Sequence, residues 1–279
     1  MCQTAQIEGV TFGSPDIAED TVKHQELLAD LRGERQSLRE LVASADLNAP
    51  TPAEGWTVGD TVIHLWQTDD VAVLALVDPQ AFHDQVLARV MDDPIGFVDA
   101  AVSDARGLSS TELLAQWDAT FDSLMTALEE ADLSARVAWF GPPMNPTSFA
   151  TARLMEYWAH SQDAYDALGV ASEPTARLRH ICHLGYRTRG FAYLLRGMPM
   201  PETEVGVVLD LPDGTTYSAG ADAPELITGS AVDFCLVATQ RRHPSDTSLV
   251  ATGPAAREWL SIAQCFAGPP SKGREAAAS

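Results

Sequence analysis

The sequence feature that most constrains the fold is the unbroken run at positions 148–169, SFATARLMEYWAHSQDAYDALG. It contains no proline and ends at a glycine that suits a helix C-cap, so it predicts a helix of about six turns. One stripe of this helix carries Glu156, His160 and Asp163, and the other side carries Leu154, Tyr157, Trp158, Tyr165 and Leu168. Both faces are typical of buried surfaces, so we expect the rest of the chain to pack around this helix.

The polar stripe holds a carboxylate and an imidazole one turn apart. Side chains at positions i and i+4 of a helix point the same way, so Glu156 and His160 are close enough to bind one divalent ion. Two ligands make half a site, and the same spacing is commoner in a solvated pair than in a metal site. A third ligand on another helix is needed to favour the metal.

Two long helices are expected before position 80. Leucines recur at helical spacing over residues 14–44, with charged residues between them. After a loop with two prolines, T-V-G-D at positions 57–60 resembles a capping box in which Asp replaces the usual Glu. The run that follows, VIHLWQTDDVAVLALV, predicts the second helix.

A further helix begins with S-S-T-E at positions 109–112 and carries apolar residues along one face. Residues 78–108, by contrast, are expected to form short helical pieces, because Pro79, Pro94 and Gly107 interrupt them. Together with the run at positions 148–169, these helices predict a four-helix bundle over residues 15–172.

The second helix supplies a third candidate ligand. Asp60 and His64 lie one turn apart on one of its stripes. A histidine in this setting is most often a core or capping residue, but it also resembles a metal ligand whose other ring nitrogen is held by a carboxylate. Because facing helices of a bundle build metal sites, His64 completes a set with Glu156 and His160. Three protein ligands leave one coordination position open, which is typical of a catalytic site.

The loop before the central helix, WFGPPMNP at positions 139–146, has three prolines and a glycine, which prevent regular structure. Trp139, Phe140 and Met144 give this loop apolar surface. We expect it either to wall a pocket beside the metal ligands or to act as a linker packed on the bundle.

Residues 173–270 are expected to form a smaller α/β domain. The run at 175–197 predicts a basic, aromatic helix, and residues 203–219 alternate apolar residues around a P-D-G turn, which predicts a β-hairpin. Two more helices are expected at residues 230–242 and 253–266. The ends of the chain, residues 1–14 and 271–279, are expected to be a flexible arm and a disordered tail.

Arginines of this second domain are candidate substrate contacts in an otherwise acidic chain. Arg187, Arg189 and Arg196 share the basic helix, where they would clamp a substrate carboxylate or sugar hydroxyls, or pair with acidic neighbours. Arg241 and Arg242 stand at the end of another predicted helix. They either complement the helix dipole or face the metal pocket.

Composition limits the class of partner. Apolar residues make up 46% of the chain and charged residues 20%, which is enough apolar surface for a large globular core. The net charge of -21 repels phosphate, so neither nucleic acid nor an anionic membrane is an expected partner. The chain shows no secretion signal and no apolar run of membrane-spanning length, and its four cysteines lack disulfide or metal spacing. These features favour a cytoplasmic protein.

Several motifs together resemble the DinB-like, mycothiol-dependent maleylpyruvate isomerase family. The pattern G-W-T-x-x-D-x-x-x-H-L at positions 55–65 and M-E-x-W-A-H-x-x-D at positions 155–163 are similar to its metal-binding signature. F-G-P-P-M at positions 140–144 and R-T-R-G-F at positions 187–191 also match parts of that family's pattern. The resemblance covers most of residues 20–270.

The resemblance implies an α+β protein, a DinB-like four-helix bundle followed by a smaller α/β domain, with a divalent metal held by His64, Glu156 and His160. Zinc is the favoured ion, and nickel, manganese or iron are the alternatives. The resemblance also implies mycothiol, the low-molecular-weight thiol of actinobacteria, as the co-substrate. A thiol bound at an open metal position loses its proton and becomes a nucleophile near neutral pH.

We therefore expect an enzyme that attacks an electrophilic small molecule with a mycothiol thiolate, acting as a monomer or homodimer. Thiol transfer or exchange, as in secondary metabolism and antibiotic pathways, is preferred over isomerisation, because the apolar loop suits a partner larger than a small diacid. The candidate catalytic residues are Asp60, Asp163, Arg187, Arg189 and Arg241, and the candidate thiol contacts are Trp139, Phe140, Met144 and Arg242. Two alternatives remain, a metal-dependent hydrolase with Asp163 or Asp60 as base, and a non-catalytic metal-binding module.

Overall fold

The structure, a computed structural model, describes residues 17–277, so the arm expected at residues 1–14 lies outside the described residues. In chain order the helices are α1 (Ile17–Val42), α2 (Val58–Val77), α3 (Pro79–Phe82), a π-helical turn (His83–Leu87), α4 (Ala88–Asp92), α5 (Pro94–Ala105), α6 (Ser110–Glu129), α7 (Pro146–Leu168), α8 (Leu178–Arg187), α9 (Arg189–Leu195), α10 (Ala231–Ala238), a 3-10 turn (Pro244–Asp246) and α11 (Pro254–Ile262). The strands are β1 (Val205–Asp210), β2 (Thr216–Ala219), β3 (Glu225–Ser230) and β4 (Val250–Thr252). The predicted α+β class is confirmed.

The first half is the predicted four-helix bundle, built from α1, α2, α6 and α7. Helix α1 packs on α7 and α2 packs on α6, while α2 also contacts α7. The apolar face predicted for α6 is buried, from Leu113 through Trp117 to Leu128. As expected, α7 lies at the centre, because both its Glu156 side and its Tyr157 side face other parts of the chain.

Local capping explains where the long helices begin and end. Thr57 and Asp60 form the predicted capping box of α2, in which each side chain bonds the other residue's backbone N–H. At α7, the side chain of Asn145 accepts a hydrogen bond from the N–H of Ser148 at 2.8 Å, so the helix begins at Pro146, two residues earlier than predicted. Gly169 adopts a left-handed conformation, φ 64°, and ends α7 as predicted.

The second half contains a four-stranded sheet in the order β2-β1-β3-β4. Strands β1 and β2 form the predicted antiparallel hairpin, while β3 pairs parallel to β1 and antiparallel to β4. The sequence did not predict β3 and β4, which are short. Gly229 interrupts β3 with a positive φ, and Gly253, also with a positive φ, follows β4. The helix expected at residues 175–197 is split into α8 and α9 at Thr188, whose hydroxyl bonds back to the Leu184 carbonyl at 2.8 Å.

Close packing joins the two halves and fixes their relative position. Helix α8 contacts α7 on one side and α10 on the other. Gly185 is needed at the second contact, since a Cβ there would lie 2.7 Å from the ring of Phe234. At the first half, Arg177 donates a hydrogen bond to Glu34 of α1 at 2.9 Å.

The last described residues differ from the predicted disordered tail. Residues 271–277 lie against the protein, where Arg274 pairs with Asp166 at 2.7 Å and with Asp163 at 2.5 Å. Arg274 accounts for this placement, because a cation is attracted to two carboxylates that lie one turn apart on α7. Within residues 17–277, no helix has both the length and the apolar character needed to span a membrane.

Candidate metal centre

The structure brings together the three residues that the sequence analysis proposed as metal ligands. His64 comes from α2, and Glu156 and His160 come from consecutive turns of α7, so that one donor atom of each lies within 4.8 Å of the others. Glu156 Oε2 is 3.4 Å from His160 Nε2, and the two imidazole ring centroids are 4.7 Å apart. The pair on α7 is not a solvated ion pair, because His160 is only 13% exposed.

The protonation of these residues suits a divalent cation. Burial, and then the neighbouring His160 ring, lower the pKa of His64 to about 3, so the imidazole of His64 is neutral at pH 7. For Glu156, burial alone would raise the pKa, but the hydrogen bond with His160 and the charge of Arg153 lower it to about 2. A neutral imidazole and a carboxylate whose donor atoms lie within 4.8 Å of one another can hold a metal, and the site fits an ion that takes nitrogen and oxygen donors.

Asp163, a predicted catalytic residue, lies beside Nδ1 of His160, whereas Glu156 lies beside Nε2 of the same ring. Its Oδ2 is 3.5 Å from His160 Nδ1 and accepts a hydrogen bond from Arg241 at 3.0 Å. Although burial would raise its pKa, Arg241, His160 and Arg274 hold the pKa of Asp163 well below its usual range. A carboxylate in this position orients the ring of a ligating histidine.

Asp60 is placed differently from the prediction. Its Oδ2 accepts hydrogen bonds from the N–H and the hydroxyl of Thr57, at 2.8 and 3.0 Å, and its Oδ1 accepts one from Arg106 at 2.8 Å. Within the described residues, Asp60 makes no hydrogen bond or ion pair with His64. The carboxylate of Asp60 therefore caps the start of α2. The ring of His64, one turn later, lies near the rings of Trp56 and His160 instead.

Trp56 is a residue beside the candidate ligands that the sequence analysis named only as part of the G-W-T pattern. Its ring lies 5.3 Å from that of His64 and 6.2 Å from that of His160, with the second pair stacked at 15°. The tryptophan covers one side of the two imidazoles. Its place in the G-W-T pattern, one residue before the helix cap, is the sequence feature that marks it.

A cavity of about 240 Å³ opens beside the three ligands. Trp139 and Phe140 of the proline-rich loop line it, together with Arg241 and Phe266 from the second half. The loop therefore walls a pocket, one of the two roles expected for it.

A second cavity, of about 390 Å³, shares Glu156, Arg153 and Trp139 with the first and extends between the bundle and the second half. Met144 of the proline-rich loop and Arg187 of α8 line this larger space. The candidate ligands thus border a continuous region that the two halves of the chain build together.

The predicted arginines separate into two groups. Arg187 and Arg241 line the cavities around the ligands, and Arg241 Nη2 lies 3.4 Å from His160 Nδ1. Arg189 is held elsewhere, because it donates to the Thr203 carbonyl at 3.0 Å and its guanidinium lies over the Tyr193 and Trp259 rings. Arg242 is absent from the lining of the two cavities. Helix α10 ends at Ala238, so Arg241 and Arg242 lie in the turn that follows it. Of these two, only Arg241 lines a cavity beside the candidate ligands.

Arg153 is a cavity residue that the sequence analysis did not consider. It lies one turn before Glu156 on α7, is only 2% exposed, and lines both cavities. Its Nε and Nη2 donate to Asp69 Oδ1 at 3.2 and 2.7 Å. An arginine within an otherwise apolar helical segment was the available indication, since a buried arginine requires a specific partner.

The fold and the site define a helix-bundle protein with a candidate metal centre of two histidines and one glutamate. A sequence model described as the mycothiol maleylpyruvate isomerase N-terminal domain matches residues 26–165. An uncharacterised protein from two strains of Mycobacterium tuberculosis is 46% identical over 251 residues, which cover 88% of this chain and 97% of that protein. The chain belongs to the mycothiol maleylpyruvate isomerase family.

Solved structures show the same fold. The crystal structure of the mycothiol-dependent maleylpyruvate isomerase matches with a TM-score of 0.54 at 16% identity, covering 82% of this chain and 92% of that one. A mutant of the same enzyme matches with a TM-score of 0.55 at 17% identity and the same coverage. At this level of identity, the likeness concerns the arrangement of helices and strands.

Proposed function

We propose that this protein is a metal-dependent enzyme that uses mycothiol to attack an electrophilic small molecule. The observation that carries the proposal is the set of His64, Glu156 and His160 at the edge of an open cavity. A divalent ion held there, zinc for preference, would lower the pKa of a thiol that binds at its open position. Family membership supports mycothiol as that thiol.

Side chains around the candidate ligands favour this chemistry by orienting one ligand and limiting the access of water. Asp163 orients His160 through Nδ1, and Arg241 keeps that carboxylate ionised. Trp139 and Phe140 restrict water at the cavity wall, which strengthens electrostatic interactions inside it. The chain thus supplies a fixed ligand set next to a space with apolar walls.

Transfer or exchange of the thiol remains our preferred reaction, with a role in secondary metabolism. The two cavities of about 240 and 390 Å³ offer more room than a small diacid occupies, and the larger one extends to α8. Isomerisation through a transient thiol adduct would use the same first step, the attack of the thiolate on the electrophile. The two reactions differ only in whether the thiol group leaves again.

The hydrolase alternative has less support, because it needs a carboxylate free to accept a proton from water. Asp163 faces the far side of His160 and is paired with Arg241 and Arg274. Asp60 is bound by Thr57 and Arg106. Neither carboxylate lines the cavity beside the ligands.

Thermal unfolding with mycothiol tests the proposal. For the zinc-loaded protein, mycothiol at about 100 times its Kd should add about 2.7 kcal/mol, which raises Tm by on the order of 5–10 °C. Chelation of the metal should abolish this gain, and S-methylated mycothiol, which cannot form a thiolate, should give much less. Equal stabilisation by both thiols, or a gain that survives chelation, would contradict a metal-bound thiolate.

A further inference from the structure

Helix α10 ends in a backbone conformation that its sequence does not favour. Gln240, two residues after the end of the helix, has a φ of 62° and is the only residue other than glycine with a positive φ in the part of the chain that the structure describes. Helices α7 and α9 end with the same pair of backbone hydrogen bonds, but there the left-handed residues are Gly169 and Gly197. A side chain makes this conformation costly, so contacts elsewhere must stabilise Gln240 in it.

The side-chain amide of Gln240 makes those contacts with the C-terminal segment (residues 271–277) and with the end of α11. Its Nε2 donates to the carbonyl oxygens of Ala263 and Ser271, both at 3.3 Å, and its Oε1 accepts a hydrogen bond from the Ser271 hydroxyl. Gly273 lies against the same side chain, because a Cβ added there would be 3.0 Å from the Cβ of Gln240. The glutamine therefore joins the turn after α10 to the C-terminal segment, which a glycine cannot do.

Each of the two parts that Gln240 joins brings an arginine to Asp163. The N–H of Arg241 bonds back to α10 at 2.7 Å and closes the left-handed turn, and the side chain of Arg241 donates to Asp163 Oδ2 at 3.0 Å. Arg274 of the C-terminal segment donates to the other oxygen, Oδ1. Asp163 Oδ2 also lies 3.5 Å from Nδ1 of the candidate ligand His160. Gln240 thus connects the two cations that hold this carboxylate.

We propose that Gln240 is a positioning residue of the candidate metal centre, which fixes both cations on Asp163 by joining the C-terminal segment to the turn after α10. With both oxygens held, the carboxylate keeps one direction towards His160 and so holds the orientation of that ring. Without the amide, the turn and the C-terminal segment would move independently of each other. The inference rests on the proposed function in one respect, the binding of a metal by His64, Glu156 and His160.

Zinc affinity, measured by competition with a chromophoric chelator, tests this role. Gln240→Gly suits the left-handed turn, so the variant keeps the backbone conformation and loses only the amide. Loss of a partner that touches a metal ligand weakens metal binding by about 10–100-fold, and Gln240 acts through Asp163, so we expect a loss of about three- to tenfold. Gln36→Ala, which removes an exposed amide bonded to Glu40 of its own helix, is the matched control and should bind zinc as the wild type does.

Two further measurements separate positioning from a general loss of stability. The visible absorption spectrum of the cobalt(II)-loaded protein reports the geometry of the ligands, so it should change in Gln240→Gly and stay the same in Gln36→Ala. In a double-mutant cycle, Gln240→Gly and Arg274→Gln should together weaken zinc binding by less than the product of their separate losses, because both act through Asp163. An unchanged spectrum, or losses that multiply in full, would overturn the positioning role.

A second variant tests the same connection from the C-terminal segment. Gly273 has a φ of 68°, and Gly273→Ala places a Cβ 3.0 Å from that of Gln240, so it should displace the segment while the amide stays in place. We expect a loss of zinc affinity like that of Gln240→Gly. In the metal-free protein, both variants should also show faster hydrogen exchange over residues 271–277. Wild-type zinc affinity and wild-type exchange in both variants would contradict the inference.

The outcomes separate this inference from the proposed function. If mycothiol stabilises the zinc-loaded wild type but zinc affinity is unchanged in Gln240→Gly and Gly273→Ala, the proposed function stands and the positioning role is wrong. If zinc affinity depends on Gln240 but mycothiol does not stabilise the wild type, the positioning role stands and the thiol is wrong.

Discussion

At the scale of single residues, the candidate metal centre depends on three donor atoms that two helices supply. His64→Ala, Glu156→Ala or His160→Ala should each remove bound metal, because two remaining ligands hold an ion poorly against water. Metal analysis of the purified variants measures this. His83→Ala removes an exposed histidine outside the site and is the matched control. Full metal content in all three ligand variants would contradict the assignment.

The acid sensitivity of the fold should carry a contribution from Asp60. Burial alone would raise its pKa, but hydrogen bonds from Arg106 and Thr57 lower it below the ordinary value of 3.8. The ionised form therefore stabilises the folded state above about pH 4, and this contribution is lost as the pH falls through the lower pKa of the folded protein. Asp60→Asn should cost about 1 kcal/mol at pH 7, as expected for a weakened helix cap.

Chemical denaturation at several pH values measures that difference. The gap in the free energy of unfolding between wild type and Asp60→Asn should be constant above about pH 5 and should shrink below pH 4. A gap that grows on acidification would mean that Asp60 is not the ionised cap described above.

The spacing of residues along helices was sufficient to select the candidate ligands but not the residues that pair with their neighbours. Glu156 and His160 were recognisable because i and i+4 are neighbours on any helix, whatever the tertiary structure. The partner of Asp60 is Arg106, which is distant in sequence and lies in a segment of short helices. Asp69, which fixes Arg153, is likewise on another helix. No local pattern contains such pairs.

At the scale of elements, capping residues and apolar periodicity predicted the long helices and the β1–β2 hairpin. The failures occurred where an element depends on distant contacts. Strand β3 pairs with β1 in parallel, and β4 is three residues long, so neither carries enough alternation to be recognised alone. The break at Thr188 between α8 and α9 follows from a side-chain bond to the backbone, which any helical threonine can make.

The C-terminal segment should contribute to the metal centre through Asp163. Arg274 holds one oxygen of this carboxylate, and the other faces His160. Loss of a partner of this kind weakens metal binding by about 10–100-fold when it touches the ligand itself. Arg274 acts one residue further away, so Arg274→Gln should weaken zinc binding by less, on the order of tenfold at most.

Competition with a chromophoric chelator measures that affinity, and Lys272→Gln provides the matched control. Lys272 is an exposed cation in the same segment and has no contact with Asp163 among the described residues. An equal loss of affinity in both variants would indicate a general effect of charge. Unchanged affinity in Arg274→Gln would show that Arg241 alone is sufficient for Asp163.

At the scale of the whole molecule, the site is shared between the two halves. The bundle supplies the candidate ligands, while Arg187, Arg241 and Phe266 come from the second half. The sequence indicated two regions but not how they meet, because their relative position follows from contacts such as Arg177 with Glu34 and Gly185 with Phe234. Which arginines face the ligands could therefore be decided only in three dimensions.

The two arginines that the second half contributes should affect substrate handling, and the change at Arg187 should leave metal binding intact. Arg187 and Arg241 line the shared cavities, so Arg187→Lys and Arg241→Lys each remove a planar fork from the binding region. The expected cost is one charge-assisted hydrogen bond, about 1.5–3 kcal/mol, seen as a lower kcat/KM or a weaker mycothiol-induced rise in Tm. Arg242→Lys, the same change at the residue next to Arg241 but outside the cavity lining, should behave as the wild type does. If Arg242→Lys lowers kcat/KM or the mycothiol-induced rise in Tm as much as Arg241→Lys does, the effect comes from the turn after α10 and not from the cavity. The second half would then serve only to support the bundle.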